Sequence, residues 1–161
     1  MGFLKWLLGP KEKISKSTMK HATLGEFNTN NRLVSGGHSQ KNINELERRK
    51  QKFNIVKTYS NGVRVGNVEN HKKIMKQVGT NQSWFPKHWN DIKIKHAAQV
   101  IARGSKLPDG HTKSGIYDNV NVGIIRTNSE ISTIFPMSPQ KNKKGVEMNE
   151  YRKIKRINKR K

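Results

Sequence analysis

The chain contains no cysteine, which excludes disulfide staples, thiolate metal sites and a cysteine nucleophile, and leaves the redox compartment open. Acidic residues are scarce: 11 Asp and Glu stand against 33 Lys and Arg. The three aspartates, Asp91, Asp109 and Asp118, are scattered and each reads as a helix-start or turn residue, so no carboxylate cluster for a two-metal site is expected. Long hydrophobic runs are missing too. The apolar cluster Phe3, Leu4, Trp6, Leu7 and Leu8 is broken by Lys5, too short to span a bilayer and without a signal-peptide pattern. It reads as a segment that docks on the core or on a partner, with a short interfacial helix beside Lys11 and Lys13 as the other reading. No stable membrane insertion is expected. Trp6 occupies the place where N-myristoylation needs Ser or Thr. Aromatic RNA-binding motifs, zinc-finger spacing and a long amphipathic helix are also lacking.

What is present is positive charge and histidine. A formal net charge of +22 on 161 residues points first to a polyanion, with nucleic acid as the leading candidate and a solubilising surface or basic tail as the plainer reading. Hydrophobic residues make up 32% of the chain, and Val, Ile and the aromatics gather between Phe53 and Phe135, where the core is expected. The length suits one modest domain. The division expected is a short apolar and basic segment over 1–19, a domain over 20–137 and a basic tail over 138–161.

Between Lys20 and Ser39 two histidines stand seventeen positions apart, each near glycine: His21 opens His-Ala-Thr-Leu-Gly-Glu-Phe, and His38 closes Gly-Gly-His-Ser. An imidazole with an ordinary pKa near 6.5 can give or take a proton near neutrality, so two of them facing one cleft suit acid–base chemistry without a metal. His71 is a third candidate, since its basic neighbours Lys72, Lys73 and Lys76 favour a neutral ring; a phosphate-contacting loop is its expected place. His88, His96 and His111 read as a loop contact, a helix surface position and a turn.

The elements follow from local patterns. Ile43 and Leu46 suggest a weak helix over 40–52. Alternation at Phe53, Ile55, Val63 and Val65 around Asn61-Gly62 predicts a hairpin. Asn90 caps a helix running through Ile92, Ala97, Ala98 and Ile101, with Gly104 ending it and Pro108-Asp109-Gly110 turning the chain. Strands are expected near 115–117, 120–126 and 131–135, separated by the turn pairs Asp118-Asn119 and Asn128-Ser129. The fold class expected is α+β, an antiparallel sheet packed with helices. Trp84, Phe85 and Trp89 read as core aromatics, whereas Phe135 at a strand end can stack on a base. Residues 141–161 hold ten Lys or Arg against two Glu, a tail suited to salt-dependent tethering on RNA.

His-x-x-x-Gly-Glu followed by Gly-Gly-His-Ser resembles the histidine signature of the EndoU endoribonucleases, in particular the bacterial toxin branch found at the ends of contact-dependent inhibition proteins. Gly79-Thr80-Asn81-Gln82-Ser83-Trp84-Phe85-Pro86 and Trp89-Asn90-Asp91-Ile92-Lys93-Ile94 are similar to that family's phenylalanine-proline-tryptophan step into a helix, and Ser132-Thr133-Ile134-Phe135-Pro136 resembles its closing strand. The match runs from about His21 to Pro136. The resemblance implies an EndoU or barnase-like ribonuclease toxin architecture and RNA cleavage without metal or other cofactor. In that chemistry the 2′-hydroxyl attacks phosphorus, leaving 2′,3′-cyclic phosphate and 5′-hydroxyl ends. By similarity His38 is the base, His21 the acid, and a lysine clamps the phosphorane. Relatives commonly carry that lysine shortly before the phenylalanine-proline step; none lies between Val78 and Ser83, so Lys76 is the first candidate and Lys73 the second. Many relatives have tyrosine before the closing proline, where this chain has Phe135, leaving Thr133 and Ser83 as candidate polar substrate contacts.

The partners implied are an RNA substrate, with transfer RNA one candidate, and an acidic immunity or inhibitor protein; a monomer is expected. The location implied is that of a secreted or delivered effector acting in the cytoplasm of a target cell, and otherwise cytoplasmic. The competing readings are a non-catalytic nucleic-acid-binding protein, with Gly36-Gly37-His38 merely a turn, and a membrane-active basic protein led by 1–8.

Overall fold

A computed structural model describes residues 12–104 and 107–148. The apolar segment 1–8, Lys11 and residues 149–161 of the basic tail lie outside the described residues.

The first element is a helix that the sequence pattern did not announce, α1 (Lys16–Thr23), started by Ser15, whose hydroxyl accepts from the Thr18 amide. Two short strands, β1 (Glu26–Phe27) and β2 (Leu33–Ser35), pair antiparallel and lead into α2 (Gln40–Arg48). The predicted hairpin is β3 (Phe53–Thr58) and β4 (Arg64–Val68), extended by β5 (Gln82–Trp84) on the far side of β4. A single 3₁₀ turn, Ile74–Gln77, lies between β4 and β5. The helix capped by Asn90 is α3 (Asp91–Ala102), and the last sheet is a meander of β6 (Thr112–Tyr117), β7 (Val120–Thr127) and β8 (Glu130–Pro136). The fold is α+β, as expected from the sequence, with the strands divided among three small antiparallel sheets.

Strand position decides which residues are buried. β4 is central in its sheet and buried at all five positions, whereas β3 is an edge strand with a register irregularity between Ile55 and Lys57 that leaves Ile55 and Val56 exposed. Ile55 is therefore not the core residue its alternation suggested. Ile92 likewise turns out to be 79% exposed: the buried face of α3 is Ile94, Ala97, Ala98, Ile101 and Ala102, a three-four spacing counted from Ile94.

The main core joins this face to Val122 and Ile124 of β7, Ile131 and Ile134 of β8, Val63, Val65, Phe85 and Trp89. Ile14 and Met148 belong to it too, so the packed body runs past both edges of the expected 20–137 domain. A second cluster, Leu33, Ile43, Leu46, Val68 and Trp84, packs α2 against β2, β4 and β5. Trp84 is fully buried there and its indole N–H donates to Asn42 at 2.9 Å, so the ring's polar atom is satisfied. No described helix is long and apolar enough to cross a membrane.

Candidate active site

The two histidines of the Lys20–Ser39 stretch are brought together by the end of a helix. The last carbonyls of a helix have no intrahelical partner, and in α1 those of His21, Ala22 and Thr23 accept from the amides of Gly37, His38 and Ser39 at 2.9, 2.6 and 3.2 Å. The Gly-Gly-His-Ser segment thus lies along the helix terminus. Glycine is required for this approach. Gly36 has φ +67°, and a Cβ there would stand 2.0 Å from the His21 carbonyl oxygen. Ser39 then caps α2 through the Lys41 amide, while its hydroxyl donates back to Thr23.

β5 holds His38 from the other side. The His38 carbonyl accepts from the Phe85 amide at 2.7 Å, and its ring Nδ1 lies 2.8 Å from the Ser83 carbonyl oxygen. A carbonyl only accepts, so Nδ1 carries the hydrogen and Nε2 is the basic nitrogen. His38 is almost fully buried, and burial, followed by the nearby Lys76 charge, pushes its pKa down to about 3, so the ring is neutral at pH 7.

His21 has a different partner. Its Nδ1 lies 3.1 Å from the Glu26 carboxylate, which the Ser35 hydroxyl also donates to at 3.2 Å. The hydrogen bond from His21 holds the Glu26 carboxyl below its usual range, so a negative charge stays beside the ring.

Both histidines line one cavity of about 710 Å³. Lys76 enters it from the 3₁₀ turn and Lys73 from the residue just before that turn, and Thr133 and Phe135 enter from β8, where Ile131 and Ile134 take core-facing positions. The Lys76 ammonium donates to Gln82 at 3.1 Å, and burial, then the Lys73 charge, pulls its pKa down to about 8. Gln82 is fully buried, and its amide nitrogen donates to the Gly36 and Gly37 carbonyls at 3.3 and 2.8 Å. One glutamine therefore ties the lysine to the turn that carries His38. The Phe135 ring sits 5.9 Å from the His38 ring, tilted by 46°.

Of the residues singled out in the sequence, His21, His38, Lys76, Lys73, Ser83, Thr133 and Phe135 share this cavity. Ser83 is nearly buried and its hydroxyl donates to the Pro136 carbonyl at 2.8 Å, which leaves the oxygen's acceptor side for a ligand. His71 corrects the expectation of a phosphate-contacting loop: it is wholly buried and does not line the cavity. Its lysine-rich neighbourhood suggested a surface, but its ring turns inward beneath the 3₁₀ turn.

Sequence reasoning missed Glu26 and Gln82 as partners of the site and Lys57, Tyr59 and Glu147 as its far wall, where the Lys57 ammonium lies 3.1 Å from Glu147 and 4.7 Å from the Tyr59 ring centre. Glu26 could have been found, being the carboxylate that ends the first histidine motif. Gln82 and Glu147 carry no local signal. Among the described residues no group of three or more His, Asp or Glu is placed to hold a metal ion.

A basic α+β body whose cavity gathers two imidazoles and two ammonium groups is the kind of site that small nucleases use on phosphodiesters. The chain belongs to the bacterial EndoU nuclease family: residues 15–138, more than half of its length, match the family described as "Bacterial EndoU nuclease". No curated protein and no solved structure matches it.

Proposed function

We propose that this nuclease is a metal-independent endoribonuclease in which the ribose 2′-hydroxyl is the nucleophile. The observation that carries the reading is the unequal partnering of the two histidines. His38, neutral and with Nδ1–H held by a carbonyl, offers Nε2 as base for the 2′-hydroxyl proton. His21, held at Nδ1 by the Glu26 carboxylate, is the acid that gives a proton to the departing 5′-oxygen. Two histidines in contrasting surroundings are what acid and base roles in one step require. Lys76, with Lys73 behind it, supplies positive charge where the phosphorane's oxygens gain negative charge. In the step the 2′-oxygen–phosphorus bond forms, the phosphorus–5′-oxygen bond breaks, and the products end in 2′,3′-cyclic phosphate and 5′-hydroxyl. The low proton affinity of His38 comes first from burial and then from the Lys76 charge, and a substrate can relieve the second. An anionic phosphodiester offsets the Lys76 charge and raises the ring's basicity on binding.

Thr133 and Ser83 are the polar contacts for a base that stacks on Phe135, and a structured RNA such as transfer RNA is the substrate class that the formal charge of +22 suits. The same charge around an open cavity suits an acidic inhibitor protein, the counterpart of a toxin delivered into the cytoplasm of a target cell.

The test is incubation of purified protein with total cellular RNA in EDTA, wild type beside His38→Ala, with end-group analysis. Discrete cuts ending in cyclic phosphate, lost in the variant, are expected. RNA left intact by both proteins, or cut equally by both, overturns the reading.

A further inference from the structure

His71 is the least expected residue of the molecule. It is a fully buried imidazole, and its Nε2 is buried without a hydrogen-bond partner among the described residues. Its Nδ1 accepts from the Lys73 amide at 2.9 Å. A backbone amide can only donate, so Nδ1 is the unprotonated nitrogen and the unpartnered Nε2 carries the hydrogen. An aliphatic side chain would fill the same space without stranding a buried donor. What the imidazole supplies and an aliphatic residue lacks is the acceptor for Lys73.

That acceptor sits at the root of the lysine-bearing turn. Lys73 is the residue that precedes the 3₁₀ turn Ile74–Gln77, and its carbonyl accepts from the Lys76 amide at 3.0 Å. The carbonyl of His71 takes the other end of the same turn, accepting from the Gln77 side chain at 2.8 Å and from Arg32 at 3.4 Å. His71 itself is fixed to the sheets on both sides, its amide donating to Val68 and that of Lys72 to Leu33. One residue thus clasps the beginning and the end of the segment that sends Lys73 and Lys76 into the cavity. Ile74 and Met75 give the turn little packing of their own, being 78% and 75% exposed.

We propose that His71 is a positioning residue: its neutral ring, by accepting the Lys73 amide proton through Nδ1, holds the 3₁₀ turn in the conformation that buries the Lys76 ammonium against Gln82 at the cavity. The importance of Lys76 to RNA cleavage rests on the functional reading above; its placement by His71 does not. The charged and titratable groups around the ring are Lys73, Lys76, Arg32 and His38, three of them cations, and with burial they hold the ring neutral, its pKa lowered to about 4. A neutral ring is the form that accepts.

The experiment uses the full chain labelled with 13C at lysine Cε, the Lys76 signal assigned by its loss in Lys76→Arg, and follows the titration of that ammonium. Wild type is expected to titrate near 8, as burial requires. His71→Asn places a side-chain oxygen where Nδ1 stood and is expected to keep that value. His71→Leu, which fills the space but accepts nothing, and His71→Gln, which carries its acceptor one bond further out, are expected to release Lys76 toward the ordinary lysine value of about 10.4. Only variants that unfold cooperatively are compared, and if His71→Leu does not fold, Asn against Gln decides. A folded Leu or Gln variant that leaves Lys76 near 8, or an Asn variant that releases it, overturns the proposal. The titration needs no substrate, so a wild type that failed to cut RNA would count against the ribonuclease reading while leaving this result standing. Where RNA is cut, His71→Leu is expected to lower kcat with KM little changed and to cost much less in a Lys76→Ala background, where only the Lys73 charge is left to misplace.

Discussion

Lowering the pH from 6.5 to 5 should cost this fold about 3 kcal/mol, more than a surface effect could explain. The cause is two buried neutral histidines. In the unfolded chain an imidazole has a pKa near 6.5, whereas in the folded protein His38 is pushed down to about 3 and His71 to about 4. A depressed folded pKa gives stability that is complete above the unfolded value and is lost as pH falls toward the folded one. Between pH 6.5 and 5 the excess of protons bound by the unfolded state rises from about one half to nearly one per histidine. At about 1.4 kcal/mol per pH unit for a full proton, each site loses about 1.6 kcal/mol over that interval. The figure depends on both folded values lying well below 5. Ordinary carboxylates titrate near 4, so pH 5 keeps most of their effect out of the window. Against a domain stability of about 5–15 kcal/mol the loss is large. Urea unfolding followed by tryptophan fluorescence measures it, since Trp84 and Trp89 are both buried. His71→Asn should remove half of the pH dependence, whatever it does to stability at pH 7. Equal unfolding free energies at the two pH values would refute the reasoning, as would a His71→Asn protein with the full dependence.

Gln82→Leu removes the acceptor of the Lys76 ammonium and the donor to Gly37. A hydrogen bond to a charged group contributes about 1.5–3 kcal/mol, so kcat for RNA cleavage should fall roughly tenfold to a hundredfold with KM little changed. Gly36→Ala drives a methyl group into the His21 carbonyl at a positive φ, and chemical denaturation should show a loss of at least about 2 kcal/mol. Phe135→Ala takes away the ring at the cavity wall; base–aromatic stacking contributes about 1–3 kcal/mol, and kcat/KM should fall accordingly while the Tm changes little.

Much of the fold was legible because its signals are local. Asn90 caps α3 by accepting from the Lys93 amide at 2.9 Å, and Asp118-Asn119 and Asn128-Ser129 take the positive φ values that two-residue hairpin turns require. The two histidine motifs and the closing strand could likewise be read, because each is a short run of residues with its glycines or proline in place. α1 was missed because Lys16–Thr23 has only Met19 and Ala22 to give it an apolar face, and its ends are secured by Ser15 and by amides from fifteen or so residues further on. The site's supporting residues were hidden for the same reason. Gln82 on a strand looks like any polar residue until the Gly36-Gly37 turn and Lys76 arrive on either side of it. His71 sits in a run of exposed residues, and only the tertiary fold turns its ring inward.

The central claim is that the 2′-hydroxyl is the nucleophile and His38 the base that activates it. It is tested most directly by mapping a cut in RNA, resynthesising that RNA with a single 2′-deoxy sugar on the 5′ side of the cut, and comparing the two with wild-type protein in EDTA. The account expects the all-RNA strand to be cleaved to a 2′,3′-cyclic phosphate and the deoxy-substituted strand to survive at the mapped position while still binding. Cleavage at the deoxy position at an undiminished rate would contradict it, because water and not the ribose would then be attacking phosphorus.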